Sequence, residues 1–231
     1  MKTTWPDSVL VAGATGLIGQ QLLKALAHGG GTRPPRVHAL ARRPRPPAGA
    51  GQIAGSVAWL QVDFAHLPPL PQAAWAYCAL GTTIAAAGSQ AAFRAVDFDA
   101  VLAFARAARA AGASRLAVVS SLGASPRAGN FYSRVKGEME AAVADCGFDS
   151  LVIARPSLLA GDREALGQPR RRGERLALAL SAPLAAWIPA AWRPIGAEVV
   201  ARAMLVALAD GRPSVRIIES AELQRLGREP G

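Results

Sequence analysis

Residues 9–19 read VLVAGATGLIG. A short apolar run, Val9–Ala12, is followed at once by Gly13, Gly16 and Gly19, and then by helix-like sequence. A strand that passes through a glycine turn into a helix N-terminus is the layout that holds a dinucleotide pyrophosphate. The first glycine lets the chain turn sharply, the second leaves room for phosphate, and the third lets helix and strand pack closely. The helix start adds unpaired N–H groups and the positive end of its dipole. Gly13, Thr15, Gly16, Leu17, Ile18 and Gly19 are therefore the first candidate cofactor contacts. The spacing is G-x-x-G-x-x-G, not the G-x-G-x-x-G of ordinary dinucleotide dehydrogenases. The same stretch also reads as a glycine-rich turn in some other α/β protein.

Working outward, apolar runs predict strands at Val9–Ala12, Arg36–Ala41, Val57–Val62, Ala74–Leu80, Arg115–Ser120 and Leu151–Ala154. Helices are expected from Leu17 to about His28, from about Ser89 to Ala111, and from near Asn130 to Cys146. In the second of these Phe93, Val96, Ala100, Phe104 and Ala107 repeat at three and four, which is one helix face. Strands alternating with helices at this spacing predict an α/β, doubly wound, mostly parallel sheet covered on both faces, the NAD(P)-binding Rossmann fold. After Pro156 the regularity loosens. Arg163–Arg175 reads as a polar loop, Leu176–Ala186 as an apolar helical segment and Ile188–Pro194 as a turn. Ala197–Leu208 reads as a helix, Val215–Ile218 as a last short strand and Glu219–Leu226 as a closing helix. The expectation is one domain over 1–231, with 157–231 forming most of the substrate side.

The 231 residues carry a net charge of +10 and are 51% hydrophobic. No apolar run reaches the 18 residues or so that would suggest a membrane span. Little chain precedes Val9, too little for a signal peptide, and two cysteines in apolar contexts, Cys78 and Cys146, suit a reducing compartment; cytoplasmic residence is the default expectation. The basic charge invites a nucleic-acid reading, but the arginines are scattered and no stripe of basic and aromatic residues supports it. A basic surface with one anionic cofactor is the simpler account.

After the second strand stands Ala41-Arg42-Arg43, where an acidic residue would accept from the ribose hydroxyls and repel a 2′-phosphate. Two guanidiniums there suit the extra phosphate of NADP(H), or else merely solvate a loop. Asp63 at the end of the third strand is placed to meet the adenine edge, or is an ordinary strand-end aspartate. Leu80, Gly81 and Thr82 should cross the nucleotide crevice, with Gly81 letting backbone approach the cofactor and Thr82 or Thr83 bonding ribose or phosphate.

Tyr132 and Lys136 stand four apart on a predicted helix and so share a face. An ammonium beside a tyrosine lowers the phenol from its ordinary value near ~10. Such a tyrosine gives a proton to a developing alkoxide in hydride transfer, or takes one in reverse; the lysine can also bond nicotinamide ribose. Ser120 or Ser121, closing the fifth strand, orients the substrate oxygen, and spacing does not choose between them. Alone, Y-x-x-x-K is also an aromatic and a lysine on a helix surface. His28, His38 and His66 lack metal-ligand spacing and read as structural or surface groups. Cys78 and Cys146 read as buried filler. Trp187 and Trp192 read first as core packing and second as substrate-pocket lining.

At this point the chain resembles the short-chain dehydrogenase/reductase superfamily. The matching segments are GATGLIG at 13–19, ARR at 41–43, VDF at 62–64, CALGTT at 78–83, VVSSLGA at 118–124, FYSRVKGEME at 131–140 and ARPSLLAGDRE at 154–164, continuing through VARAMLVAL at 200–208 and IIESAELQRLG at 217–227. The glycine spacing is similar to the extended and atypical branches, and within them the chain looks like the oxidoreductases related to the human HIV Tat-interacting protein. The resemblance implies an NADP-type cofactor, Tyr132 as acid/base, Lys136 as its partner and one serine of the pair. The superfamily's usual helper asparagine on the long helix after the fourth strand is not evident. Asp97 and Asp99 lie there, and neither reads as a simple replacement. Two functions follow: an NADP(H)-dependent oxidoreductase of a small carbonyl or alcohol, or a catalytically weak nucleotide-binding sensor or scaffold acting on a protein partner. A homodimer suits either.

Overall fold

A computed structural model describes residues 5–28, 34–43, 57–160, 189 and 192–228. Seven strands form one wholly parallel sheet: β1 (Ser8–Ala12), β2 (Arg36–Ala41), β3 (Val57–Gln61), β4 (Trp75–Cys78), β5 (Arg115–Val119), β6 (Ser150–Arg155) and β9 (Ser214–Glu219). The sheet order is β3-β2-β1-β4-β5-β6-β9. Chain progression reverses direction between β1 and β4, and in such sheets the crevice beyond that junction is where ligands bind.

The central strands are apolar on both faces because both faces are covered. Val9 and Val11 point toward α1 (Leu17–His28), α6 (Ala197–Ala209) and α7 (Ser220–Arg228), joining Val37, Ala39, Tyr77 and Val152. Leu10 and Ala12 point the other way, with Leu40, Ala76, Cys78, Leu116 and Ile153, against α4 (Ala100–Ala110) and α5 (Phe131–Ala144). The expected doubly wound sheet is present, and the last short strand is its parallel edge, β9 on β6.

Three features depart from the sequence reading. A short helix, α2 (Ile84–Ala87), follows the β4 loop, capped by the Thr83 side chain. The long helix is broken in kind: α3 (Gln90–Arg94), capped by Ser89, passes into a π-helical turn at Ala95–Asp99 before α4 begins. The expected face is met at Phe93 and Phe104, but Val96, Ala100 and Ala107 are only partly buried; the molecule buries Phe93, Asp97, Val101, Phe104, Ala105 and Ala108, also spaced at three and four. Finally β7 (Leu159–Ala160) and β8 (Ile195–Gly196) pair in parallel beside the main sheet. Trp192, expected in the core, is 67% exposed, since the turn that carries it into β8 lies at the surface. The loop and helix expected over 163–186, together with Trp187 and Arg170–Arg172, lie outside the described residues.

Candidate functional site

The glycine turn lies at the C-terminal end of β1. Gly13 has a positive φ of 76°, and the Gly16 N–H donates to its carbonyl at 2.9 Å. A side chain at Gly13 would strike the Ala79 carbonyl and come within 2.7 Å of the Leu80 nitrogen, so the β1 turn and the β4 loop are pressed together. One at Gly19 would overlap the Gly13 carbonyl. Ile18 is buried in the core and Leu17 packs against it, so any contact these two make with a cofactor comes from backbone. The first turn of α1 carries no acidic residue. The fit to a pyrophosphate is therefore good: a tight cradle, a close helix start and no opposing charge.

Arg42 and Arg43 are exposed just past β2, the strand beside β1. Asp63 is exposed and engaged locally. One oxygen accepts from the Ala65 N–H at 3.0 Å and the other meets His66 Nδ1 at 3.2 Å. These bonds hold its carboxyl below the ordinary range, the Ala65 N–H contributing most.

The chemistry-bearing groups gather beyond β4 and β5. Asn130 caps α5, its side-chain oxygen accepting from the Ser133 N–H at 2.8 Å. Tyr132 thus sits in the first turn and Lys136 one turn deeper. The Lys136 side chain is only 3% exposed and its Nζ lies 3.5 Å from the Val119 carbonyl that ends β5. Ser120 and Ser121 follow directly. Both hydroxyls are buried and have no hydrogen-bond partner among the described residues. Orphaned buried hydroxyls cost stability unless something meets them, which fits a site built for a polar ligand atom. Geometry leaves the two serines equivalent.

Asp97 is the residue that the sequence did not identify. It is fully buried, and its Oδ1 lies 2.7 Å from Lys136 Nζ. The two buried groups form an ion pair. Oδ2 accepts from the Thr82 N–H at 2.8 Å. Of the two acids on that stretch, Asp97 is buried against the lysine and Asp99 is exposed. The sequence placed two acids on that helix, and spacing did not say which of them turns inward. Burial pulls the Lys136 ammonium down, but Asp97 first and Tyr132 second outweigh it, and the lysine is held above its ordinary range. Tyr132 itself packs on Phe93, ring centroids 5.2 Å apart. A Cβ at Gly81 would lie 3.4 Å from Asp97 Oδ1 and 3.8 Å from Lys136 Nζ. The site is thus continuous from the glycine turn, through the β4 loop, to the lysine. Among the described residues no group of His, Cys, Asp and Glu forms a metal site.

A family model described as NAD(P)H-binding matches residues 13–176, from the glycine turn through the Tyr–Lys helix and beyond. The chain belongs to the NAD(P)H-binding family. This NAD(P)H-binding protein is 33% identical over 234 residues to the FMP52 protein of Eremothecium gossypii, covering 96% of this chain and 98% of that one. It is 36% identical over 166 residues to the FMP52 protein of Coccidioides immitis, covering 66% of this chain and 65% of that one. Both relatives are mitochondrial proteins by name, as are the FMP52 proteins of other fungi. The expectation of cytoplasmic residence is corrected accordingly. Cys78 and Cys146 are free thiols, and a free thiol suits any reducing compartment, so cysteine usage does not separate cytoplasm from another one.

Solved structures agree on the fold. MoeE5 in complex with UDP-glucose and NAD superimposes with a TM-score of 0.67 at 17% identity, covering 94% of this chain and 79% of that one. A short-chain dehydrogenase/reductase-family oxidoreductase from Burkholderia thailandensis gives 0.64 at 22% identity, covering 95% and 94%. Among the described residues no helix is long and apolar enough to cross a membrane.

Proposed function

We propose that this protein is an NADP(H)-dependent oxidoreductase that interconverts a small carbonyl compound and its alcohol. The observation that carries the reading is the cluster beyond β5: Tyr132 beside a buried, charged Lys136, with two unpartnered serine hydroxyls at the adjoining strand end. The family match supports the dinucleotide, and Arg42 and Arg43 favour the phosphorylated one. The turn Gly13–Gly19 would hold the pyrophosphate, Arg42 and Arg43 the 2′-phosphate, and Leu80, Gly81 and Thr82 the middle of the nucleotide. Asp63 stays a candidate for the adenine edge only through atoms not engaged in its own turn. When bound, the nicotinamide supplies or accepts the hydride.

The chain's own residues do the rest. The hydroxyl of Ser120 or Ser121 donates to the carbonyl oxygen and fixes it. Tyr132 gives that oxygen a proton as hydride reaches the carbon; in reverse it takes the alcohol proton. Lys136 places a positive charge beside the tyrosine. Kinship with the oxidoreductases related to the human HIV Tat-interacting protein is our reading of the motifs alone.

Tyr132→Phe removes only the transferable proton. Turnover of a responsive carbonyl substrate should fall by about 10²–10⁴-fold, with NADPH affinity kept within about twofold; UDP-glucose, the ligand of MoeE5, belongs in the screen. Unchanged turnover removes Tyr132 from its role. A wild-type protein that binds NADPH but turns over nothing favours the sensor or scaffold reading, to be followed by partner capture with and without NADPH.

A further inference from the structure

Two helical stretches face each other with the same spacing. On α5, Tyr132 and Lys136 are four apart. Across from them, on α3 and the π turn, Phe93 and Asp97 are also four apart. Phe93, fully buried, stacks obliquely on Tyr132, and Asp97, equally buried, meets Lys136. Residues four apart share one face of a helix, so the two pairs meet position by position. π turns inside α-helices recur at functional sites.

A buried ammonium with no counter-charge gives up its proton. The groups that bear on Lys136 are Asp97 from the π turn, Tyr132 from its own helix and Cys78 from β4. Burial pushes the Cys78 thiol up to about 12, so it brings no charge at neutral pH. Asp97 is thus the anion facing the lysine. Its second oxygen holds the backbone of Thr82, in the loop that Gly13 touches from the other side.

We infer that Asp97 is the positioning residue of this site, its two oxygens fastening the Lys136 ammonium on one side and the nucleotide-facing loop at Thr82 on the other. This deepens the oxidoreductase reading and rests on it for the lysine's purpose. The pairing itself is measurable without nucleotide or substrate. Asparagine at 97 keeps an oxygen for the Thr82 N–H and removes only the charge. A residue that merely fills space or accepts that one bond would be replaced by asparagine without effect on the lysine.

The chain has three lysines, Lys2, Lys24 and Lys136, so the ε-carbon signals of ¹³C-lysine protein are few enough to resolve. The signal absent from Lys136→Met identifies residue 136. In the wild type it should titrate above the ordinary lysine midpoint of about 10.4. In Asp97→Asn it should titrate at least about one pH unit below the wild-type value, since burial is then no longer offset by its main counter-charge. An unmoved midpoint overturns the inference.

Stability should follow with opposite slopes. The wild-type lysine holds its proton more tightly when folded, so its contribution is intact below about 10.4 and is lost as pH rises through the folded midpoint. With the folded midpoint depressed in Asp97→Asn, that protein gains stability as pH rises toward about 10.4. The double variant Asp97→Asn/Lys136→Met carries no buried charge here and should melt about 5–15 °C above Asp97→Asn. It also serves if the single variant cannot be purified. A double variant no more stable than the single one overturns the inference. Failure of the wild type to bind NADPH would remove the oxidoreductase reading and leave these charge measurements standing, so the two failures are distinguishable.

Discussion

At the scale of single residues, the glycine turn and the buried lysine are where sequence and chemistry meet most directly. Gly13 combines a φ of 76° with contact against the Ala79 carbonyl. Alanine there meets two penalties: a left-handed backbone, about 1–2 kcal/mol, and overpacking against backbone that cannot rotate away, about 1–3 kcal/mol. Gly13→Ala should therefore unfold about 2–5 kcal/mol more easily and lose nucleotide affinity as the cradle opens; denaturant unfolding and NADPH titration check both, and wild-type stability would contradict the geometry. Most of this site was legible as motif. The glycine turn ends β1, the serine pair follows β5, and Tyr132 and Lys136 share a face of α5, positions that strand and helix spacing already implied. Asp97 was not, because two acids stand on that helix and only the packing shows which one is buried against the lysine. Asp63 shows the converse: its position suggested a nucleotide contact, while its carboxylate binds its own loop.

At the scale of elements, close approach outweighs propensity. Gly137 lies inside α5, where alanine would ordinarily add about 1 kcal/mol of helix stability. Here a Cβ would overlap the backbone of Ser125 and of Pro126 in the turn leading from Ser121 toward Asn130. Moving that segment costs about 1–3 kcal/mol or more, so Gly137→Ala should lower the melting temperature by several degrees, about 2–4 °C per kcal/mol at this size. A rise in melting temperature would show that the loop yields freely. The central strands β1, β4, β5 and β6 were legible because they are buried on both faces and read as apolar runs. The pair β7–β8, two residues each, has no such run to announce it. The short helix α2 and the π turn were hidden within stretches that any helical pattern describes equally well.

At the scale of the whole molecule, sheet order fixes where everything must act. Chain progression reverses between β1 and β4, the β1 turn and β4 loop meet at that end of the sheet, and the serines follow β5 there. The +10 charge says little about this, since charge spread over a surface sets solubility and encounter rather than fold. The proposal assigns the choice of cofactor to Arg42 and Arg43, exposed just past β2. The most direct measurement is a calorimetric titration of the full chain with NADPH and with NADH, repeated on Arg42→Ala/Arg43→Ala. The account predicts that NADPH binds at least about tenfold more tightly, a difference of about 1.4 kcal/mol, and that the double variant loses this preference while NADH binding is unchanged. Equal affinity for the two nucleotides would contradict the assignment of the arginines, and binding of neither would contradict the central claim that the glycine turn holds a dinucleotide.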